Sequence, residues 1–226
     1  MVFRKGKSMK KYLVVKMIAL FAVILLVFIG AGSAKAEKPY KAVTYYVNDD
    51  ATGANDGTSW QDAFTDLQSA LAAAVSGDEI WVAAGTYTPD ASNRAAAFIL
   101  KTGVEIYGGF EGDENQLHKR HLDPSWTVLS GDIGTTGNDT DNSYHVVYAD
   151  GVTEAVLDGF TVKGGTSDFQ GGGMYTNESV LTVSNCVFSD NQAEYKGGGM
   201  YNQNSALTVS NCIFSENQAG NGSTTL

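Results

Sequence analysis

The chain has 226 residues and a formal net charge of −10, from 15 Lys and Arg against 25 Asp and Glu. This acidic balance argues against nucleic acids and anionic membranes as partners, because both require clustered bases. With 43% apolar residues and only two Cys, the composition also excludes wholesale disorder and a disulfide-rich scaffold.

The start of the chain has the order of a secretory signal. A basic stretch at 4–11 precedes an apolar run at 13–29, and residues 34–36 (Ala-Lys-Ala) provide a cleavage site. We predict a signal peptide over 1–36 and export to the cell surface, the outer membrane or the extracellular space. A retained membrane anchor is the alternative. Because the segment holds seven bases and no acid, the mature chain has eight bases and 25 acids, a net charge of −17, and we expect no membrane span in it.

Residues 37–90 are predicted to form an N-terminal cap that contains a strand, a helix and the first coil. Strands are expected at 44–47 and 79–83, with an amphipathic helix at 59–75 between them. Ser59 and Asp62 form a helix-start pattern. Apolar residues then follow at helical spacing: Trp60, Phe64, Leu67, Leu71 and Val75.

Residues 91–219 are predicted to form the body of the domain, and 220–226 a tail. Before the regular repeats begin, strands are expected at 97–100, 104–107, 127–130 and 144–148, with a polar excursion at 111–126.

A repeat of 26 residues dominates the second half. Gly-Gly-Gly-Met-Tyr at 171–175 returns at 197–201, and the apolar and Asn-containing segment at 181–193 returns at 207–219 without a gap. A third, degenerate copy covers about 148–170.

Each repeat alternates apolar and polar residues in three short pieces separated by turns, which predicts one coil of a parallel β-solenoid. Equivalent residues then stack in columns about 4.8 Å apart. The predicted columns are Leu157/Val183/Val209, Phe160/Cys186/Cys212, Val162/Phe188/Phe214 and Tyr148/Met174/Met200. The structural residues assigned to the turns are Gly173 and Gly199, the ladder of Asn185 and Asn211, and the ladder of Asn191 and Asn217.

The two cysteines occupy one column, one coil apart. We predict a buried pair of reduced thiols that serve as small apolar residues, and a disulfide is the alternative in an exported protein.

Two Gly-containing loops concentrate the hard oxygen ligands that suit calcium, and they are the candidate Ca²⁺ sites. Ordinary Asx turns are the alternative, since neither loop has EF-hand spacing. The candidate ligands are Asp49, Asp50, Asn55 and Asp56 in one loop and Asp132, Asn138, Asp139 and Asp141 in the other.

No catalytic residue is assigned. His118 and His121 are too few for a zinc site. The mature arginines, Arg94 and Arg120, lie outside the repeat strands, and Asp190 and Glu216 stack only at a turn.

Segments at 55–60, 78–87, 104–110 and 129–133 resemble secreted right-handed parallel β-helix proteins of the pectin-lyase-like superfamily. The Gly-Gly-Gly-Met and Phe-x-x-Asn units resemble repeats of the chlamydial polymorphic outer membrane protein family. These resemblances imply an all-β, right-handed parallel β-helix with an N-terminal capping helix. They do not indicate a particular activity, because lyases, hydrolases and adhesins all share this fold.

The main hypothesis is a non-catalytic exported β-helix with an adhesive or structural role, whose partners are cell-surface glycans or neighbouring surfaces. The alternatives are a polysaccharide lyase or glycoside hydrolase, and a carbohydrate-binding module that uses the outward rings of Tyr175 and Tyr201. Because no cap follows the last repeat, we expect this chain to be the N-terminal part of a longer protein or the product of a truncated reading frame.

Overall fold

The computed structural model of the protein describes residues 41–220. The predicted signal peptide at 1–36 and nearly all of the predicted tail lie outside the described residues. The first elements in chain order are β1 (Thr44–Val47), α1 (Leu67–Ala73), β2 (Glu79–Ala83), β3 (Gly85–Tyr87), β4 (Phe98–Ile99), β5 (Glu105–Phe110) and β6 (Thr127–Ser130).

The repeats contribute the remaining strands, all short. They are β7 (Val147–Asp150), β8 (Thr153–Asp158), β9 (Thr161–Lys163), β10 (Thr166–Ser167), β11 (Met174–Asn177), β12 (Val180–Ser184), β13 (Val187–Ser189), β14 (Gln192–Ala193), β15 (Met200–Gln203), β16 (Ala206–Ser210), β17 (Ile213–Ser215) and β18 (Gln218–Ala219). Within the described range, no helix is long and apolar enough to cross a bilayer.

The strands form four parallel sheets along one solenoid. Sheet A has the order β1-β2-β5-β8-β12-β16, sheet B β3-β6-β9-β13-β17, sheet C β4-β7-β11-β15 and sheet D β10-β14-β18. Strands that follow one another in the repeats lie in different sheets, whereas hydrogen-bonded neighbours are one turn of the chain apart. This arrangement confirms the predicted parallel β-helix.

Each regular coil contains four strands rather than the three predicted. The additional strand is the two-residue element of sheet D, where Thr166 pairs with Gln192 and Gln192 with Gln218. A strand of two residues is too short to show the period-2 alternation on which the prediction rested.

The 26-residue shift sets the register of the last two coils. Val183 pairs with Val209, and Phe188 with Phe214, as predicted. The coils approach each other closely at Gly173, where an added Cβ would lie 2.4 Å from the carbonyl oxygen of Gly199. This contact explains why glycine recurs at this position.

The predicted column of Tyr148, Met174 and Met200 is wrong at its first member. Met174 pairs with Met200 but also with Val147, and Tyr148 pairs with Tyr175 instead. Paired residues of β7 and β11 are therefore 27 positions apart, and the separation returns to 26 after Glu154. Glu154 has a φ of 59° and lies at the register irregularity. A bulge that inserts one residue moves every preceding side chain to the opposite face.

The predicted helix at 59–75 is mostly absent, and α1 spans only Leu67–Ala73. Its start is capped by Asp66, whose carboxylate accepts from the backbone N–H of Ser69 at 2.7 Å. Upstream, Phe64 forms a parallel bridge with Val47 instead of a helical turn. The helix still packs against β1, β2 and β4, so it covers the N-terminal end of the core as predicted.

The excursion at 111–126 folds back onto sheet A. The guanidinium of Arg120 pairs with the carboxylate of Asp158, and both side chains are less than a tenth exposed. Arg120 also donates to the carbonyl of Gly108 at 2.9 Å, and Asp158 accepts from Ser184 Oγ and from Asn185 Nδ2. This ion pair fastens the excursion to the solenoid.

The core runs through the centre of the coils and consists of the inward columns. Its buried members in the repeats include Leu157, Phe160, Val162, Met174, Val183, Cys186 and Phe188. In the last described coil the corresponding residues are more exposed, at 42% for Val209 and 49% for Phe214.

Candidate functional site

The outward face of sheet C carries three stacked tyrosines, Tyr148, Tyr175 and Tyr201, which we call the tyrosine column. Centroids of the first two rings are 5.4 Å apart at an interplanar angle of 7°, and those of the last two are 5.7 Å apart at 29°. Because each ring covers part of the next, the column presents ring edges and hydroxyls to solvent. Burial, together with the neighbouring tyrosines and Asp150, raises the pKa of Tyr175, so its hydroxyl remains a donor.

A second outward column lies two residues further along the same strands and consists of Asp150, Asn177 and Gln203. Its members are register partners. Asn177 Nδ2 donates to Asp150 Oδ1 at 2.8 Å, and the hydroxyl of Tyr175 donates to Gln203 Oε1 at 3.5 Å. This column, the polar column, places amide and carboxylate groups beside the tyrosine hydroxyls.

A cleft of about 360 Å³ lies beside the tyrosine column and is lined by Ala95, Tyr144, His145, Ser167, Asp168 and Phe169. His145 joins the two features, because its ring centroid is 5.8 Å from that of Tyr148 and 5.3 Å from that of Tyr175. The cleft and the tyrosine column therefore form one continuous surface.

Phe169 forms an exposed aromatic wall of the cleft. It is 69% exposed, and its ring stacks on that of Tyr195 from the next coil at 6.1 Å. Because most of the ring is uncovered, it is accessible from the cleft.

His145 is neutral at physiological pH in this setting. Burial lowers its pKa, and the carbonyl of Gly171, at 2.8 Å from Nδ1, opposes this only in part. A carbonyl oxygen can only accept, so Nδ1 carries the proton and Nε2 is left as an acceptor.

The charged side chains around the cleft, Arg94, Asp168 and Asp150, each have a partner within the protein. Arg94 donates through Nε to the carbonyl of Asn142 at 2.7 Å, lies over the ring of Tyr144 and sits 3.8 Å from Asp168. Asp150 is bonded to Asn177 in the polar column. The surface thus offers hydroxyls, amides and aromatic rings, with no free cation among these residues.

In the described part of the chain, the lining of the cleft contains a single acidic side chain. Inverting glycoside hydrolysis needs two carboxyl groups roughly 6.5–9.5 Å apart. Among the described residues that line the cleft, Asp168 is the only carboxylate. Arg120, the arginine that adjoins sheet A, is buried in its pair with Asp158.

In the first candidate calcium loop the side chains cap turns individually. Asn55 Oδ1 accepts from the N–H of Thr65 at 2.9 Å, and Asp56 Oδ1 accepts from the N–H and hydroxyl of Thr58. Asp49 and Asp50 are neighbours, and burial and the charge of Asp50 raise the pKa of Asp49. Asn55 and Asp56 thus make separate hydrogen bonds.

The second candidate loop is arranged similarly. Asp132 accepts from Gly137 N–H, Asn138 from Thr140, Asp139 from Gln192 and Asp141 from Thr135. Asp141 Oδ1 is buried and has no hydrogen-bond partner. In the described chain, no group of three or more His, Cys, Asp or Glu side chains is placed to hold a metal ion. Calcium binding at either loop stays a prediction.

The structure brings Tyr175 and Tyr201 together as the sequence predicted, and it adds Tyr148, His145 and Phe169. The sequence pattern did not place Tyr148 beside Tyr175, because the bulge at Glu154 separates the two residues by 27 positions instead of the repeat period of 26. Phe169 and Tyr195, by contrast, are 26 residues apart, so the repeat period itself could have identified that pair.

Together, the four sheets define a right-handed parallel β-helix that carries an aromatic face on the outward side of sheet C. The chain belongs to the family described as "Protein of unknown function (DUF1565)", which matches residues 49–224.

The solved structures similar to this chain include two polysaccharide lyases. The crystal structure of pectate lyase Pel9A is 15% identical with a TM-score of 0.51, over 76% of this chain and 48% of that one. A rhamnogalacturonan lyase is 13% identical with a TM-score of 0.45, over 82% of this chain and 64% of that one. The chain thus spans about half to two thirds of these structures, and the likeness to Pel9A shows the fold. No curated protein matches the sequence.

Proposed function

We propose that this protein is an exported, non-catalytic β-helix that binds an uncharged polysaccharide on the outward face of sheet C. Its role is then to hold a cell-surface or extracellular glycan, or to attach to a neighbouring surface. The observation that carries the proposal is the continuity of the tyrosine column, the polar column and the cleft over successive coils.

Sugars present both apolar C–H faces and hydroxyls, so their sites combine aromatic rings with a few positioned polar groups. Phe169 offers an exposed ring in the cleft, while the tyrosine hydroxyls and the exposed Gln203 offer hydrogen bonds along the sheet. Because the columns extend from coil to coil, they suit an extended polymer that lies along the solenoid axis.

Charge favours a neutral glycan over a uronic acid polymer. Asp150 and Asp168 border the surface, and Arg94 is engaged by Asp168 and by backbone carbonyls. The chain beyond residue 36 carries a net charge of −17, which repels polyanions in general.

Two sequence features support export and a surface role. The segment at 1–36 has the order of a secretory signal. The Gly-Gly-Gly-Met and Phe-x-x-Asn repeats resemble those of polymorphic outer membrane proteins, which supports the adhesive interpretation.

Affinity electrophoresis of the purified protein in gels containing xylan, a mixed-linkage β-glucan or polygalacturonate tests the proposal. We expect retardation by a neutral glycan. The Phe169→Ala and Tyr175→Ala variants should each bind about tenfold more weakly, equivalent to about 1.4 kcal/mol. Phe214→Ala, which removes a half-exposed ring from sheet B, is the matched control and should bind as the wild type does.

Unchanged binding in both the Phe169→Ala and Tyr175→Ala variants, or no binding to any glycan, would contradict the proposed surface. Release of unsaturated products from polygalacturonate, seen as ultraviolet absorbance, would instead identify a lyase.

A further inference from the structure

Cys186 and Cys212 occupy equivalent positions in successive coils. The next residues along the chain, Val187 and Ile213, are register partners, and Ile213 donates to the carbonyl of Cys186 at 2.9 Å. Both cysteines belong to the inward column that begins at Phe160.

The two thiols have matching surroundings. Cys186 Sγ lies 3.1 Å from the carbonyl of Ser184, and Cys212 Sγ lies 3.3 Å from that of Ser210. Neighbouring parallel strands are about 4.8 Å apart, which falls within the Cα separation of about 4.4–6.8 Å that a disulfide tolerates.

The thiols differ in accessibility. Cys186 is 1% exposed, whereas Cys212 is partly exposed. The neighbouring Cys212 thiol and burial raise the pKa of Cys186, and the neighbouring Cys186 thiol lowers the pKa of Cys212. Cys212 therefore supplies the thiolate that an oxidant in solution can reach.

We propose that Cys186 and Cys212 are an oxidative modification site and form an intercoil disulfide with a small disulfide oxidant such as oxidised glutathione. The Cys212 thiolate attacks one glutathione sulfur and releases a first reduced glutathione. The Cys186 thiol then loses its proton, attacks Sγ of Cys212 and displaces the second. In total, the cysteines lose two electrons and two protons, which the oxidised glutathione gains as two thiols.

The bond joins two coils of unequal protection. The coil that contains Cys212 has Ile213 60% exposed and Phe214 49% exposed, whereas Phe188 in the preceding coil is fully buried. Crosslinking the outer coil to the inner one restricts its opening, so the disulfide stabilises the less protected end of the described solenoid.

The test equilibrates the reduced full-length protein with oxidised glutathione, alkylates free thiols with N-ethylmaleimide and measures intact mass. We expect the wild type to lose two hydrogens and take up no alkyl group, while remaining a monomer on a non-reducing gel. The Cys186→Ser variant should trap one glutathione on Cys212, whereas Cys212→Ser should take up none because Cys186 is buried.

Retention of two alkylatable thiols in the wild type, a stable glutathione adduct on it, or an intermolecular disulfide would each overturn the proposal. As an independent readout, oxidation should raise the melting temperature of the wild type by several degrees. The Cys186→Ser/Cys212→Ser double variant should show no such rise.

Discussion

Asn191 shows how single polar residues maintain the register of the coils. Its side chain is fully buried. The amide nitrogen Nδ2 donates to the carbonyl oxygen of Val162 and to Asn217 Oδ1. The amide oxygen Oδ1 accepts from the N–H of Gly165. A buried amide is stable only when its donors and acceptors are satisfied, as here. Asn217 repeats the pattern by donating to Phe188, so each such Asn satisfies backbone groups of the coil before it.

His145 makes stability depend on pH. In the unfolded chain its pKa takes the ordinary value of 6.5, and burial lowers it in the folded protein. Between these two values the unfolded state binds the proton more readily, so protonation favours unfolding. As pH falls from 7 to 5, the wild type should lose more unfolding free energy than a His145→Gln variant.

Urea denaturation of both proteins at several pH values measures this difference. Carboxylates titrate in both proteins and cancel in the comparison. Parallel pH profiles for wild type and variant would show that His145 is not the responsible group.

At the scale of elements, the regular repeats and the strands of the first half were predictable, whereas the bounds of the helix were not. The invariant 26-residue shift fixes the columns at Val183 and Phe188, because parallel in-register pairing allows one alignment. Trp60 and Phe64, spaced like a helix, instead contact Tyr46 and bridge to Val47. Their apolar spacing arises from a turn that packs against β1, and periodicity alone cannot distinguish the two over so few residues.

The excursion at 111–126 depends on a contact that sequence spacing does not reveal. Arg120 and Asp158 are 38 residues apart, and both are nearly buried. The pattern around Arg120 resembles a solvated basic patch, and only the folded chain shows its partner.

Replacing one member of this pair should be costly, because it leaves a buried charge without its partner. We expect Arg120→Met to lower the free energy of unfolding by about 3–5 kcal/mol. The double variant Arg120→Met/Asp158→Asn should lose less than the sum of the two single variants. Chemical denaturation of all four proteins measures the coupling.

Arg94→Met is the matched control, since Arg94 and Asp168 are 26% and 53% exposed and lie 3.8 Å apart. Its loss should be smaller, because the substitution removes hydrogen bonds to Asn142 and Thr166 but leaves Asp168 half exposed to water rather than buried as an unpaired charge. If the losses of unfolding free energy at Arg120 and Asp158 were strictly additive, other contacts would hold the 111–126 segment against sheet A.

For the whole molecule, the stacked architecture makes stability local, because each coil contacts mainly its neighbours. Phe188 and Phe214 stack at 4.9 Å in one column, yet the first is fully buried and the second is 49% exposed. Phe188→Ala should therefore cost about 3–5 kcal/mol, as expected for a cavity in a packed core.

Phe214→Ala should cost about 1 kcal/mol, because half of its ring is already in contact with water. Calorimetry of the two variants compares the same side chain at two depths of one column. Equal losses would indicate that the last described coil is covered in solution.

The in-register stack of 26-residue units also has a consequence for inheritance. Two adjacent segments of the gene encode repeats of similar amino-acid sequence, and their strands pair in one register. Unequal recombination between them adds or deletes a whole coil in frame, and the neighbouring coils need not change. Since Tyr175 and Tyr201 recur with the repeat, each duplication would lengthen the aromatic face by one ring. A change in the number of repeats would thus change the length of the solenoid and of its aromatic face.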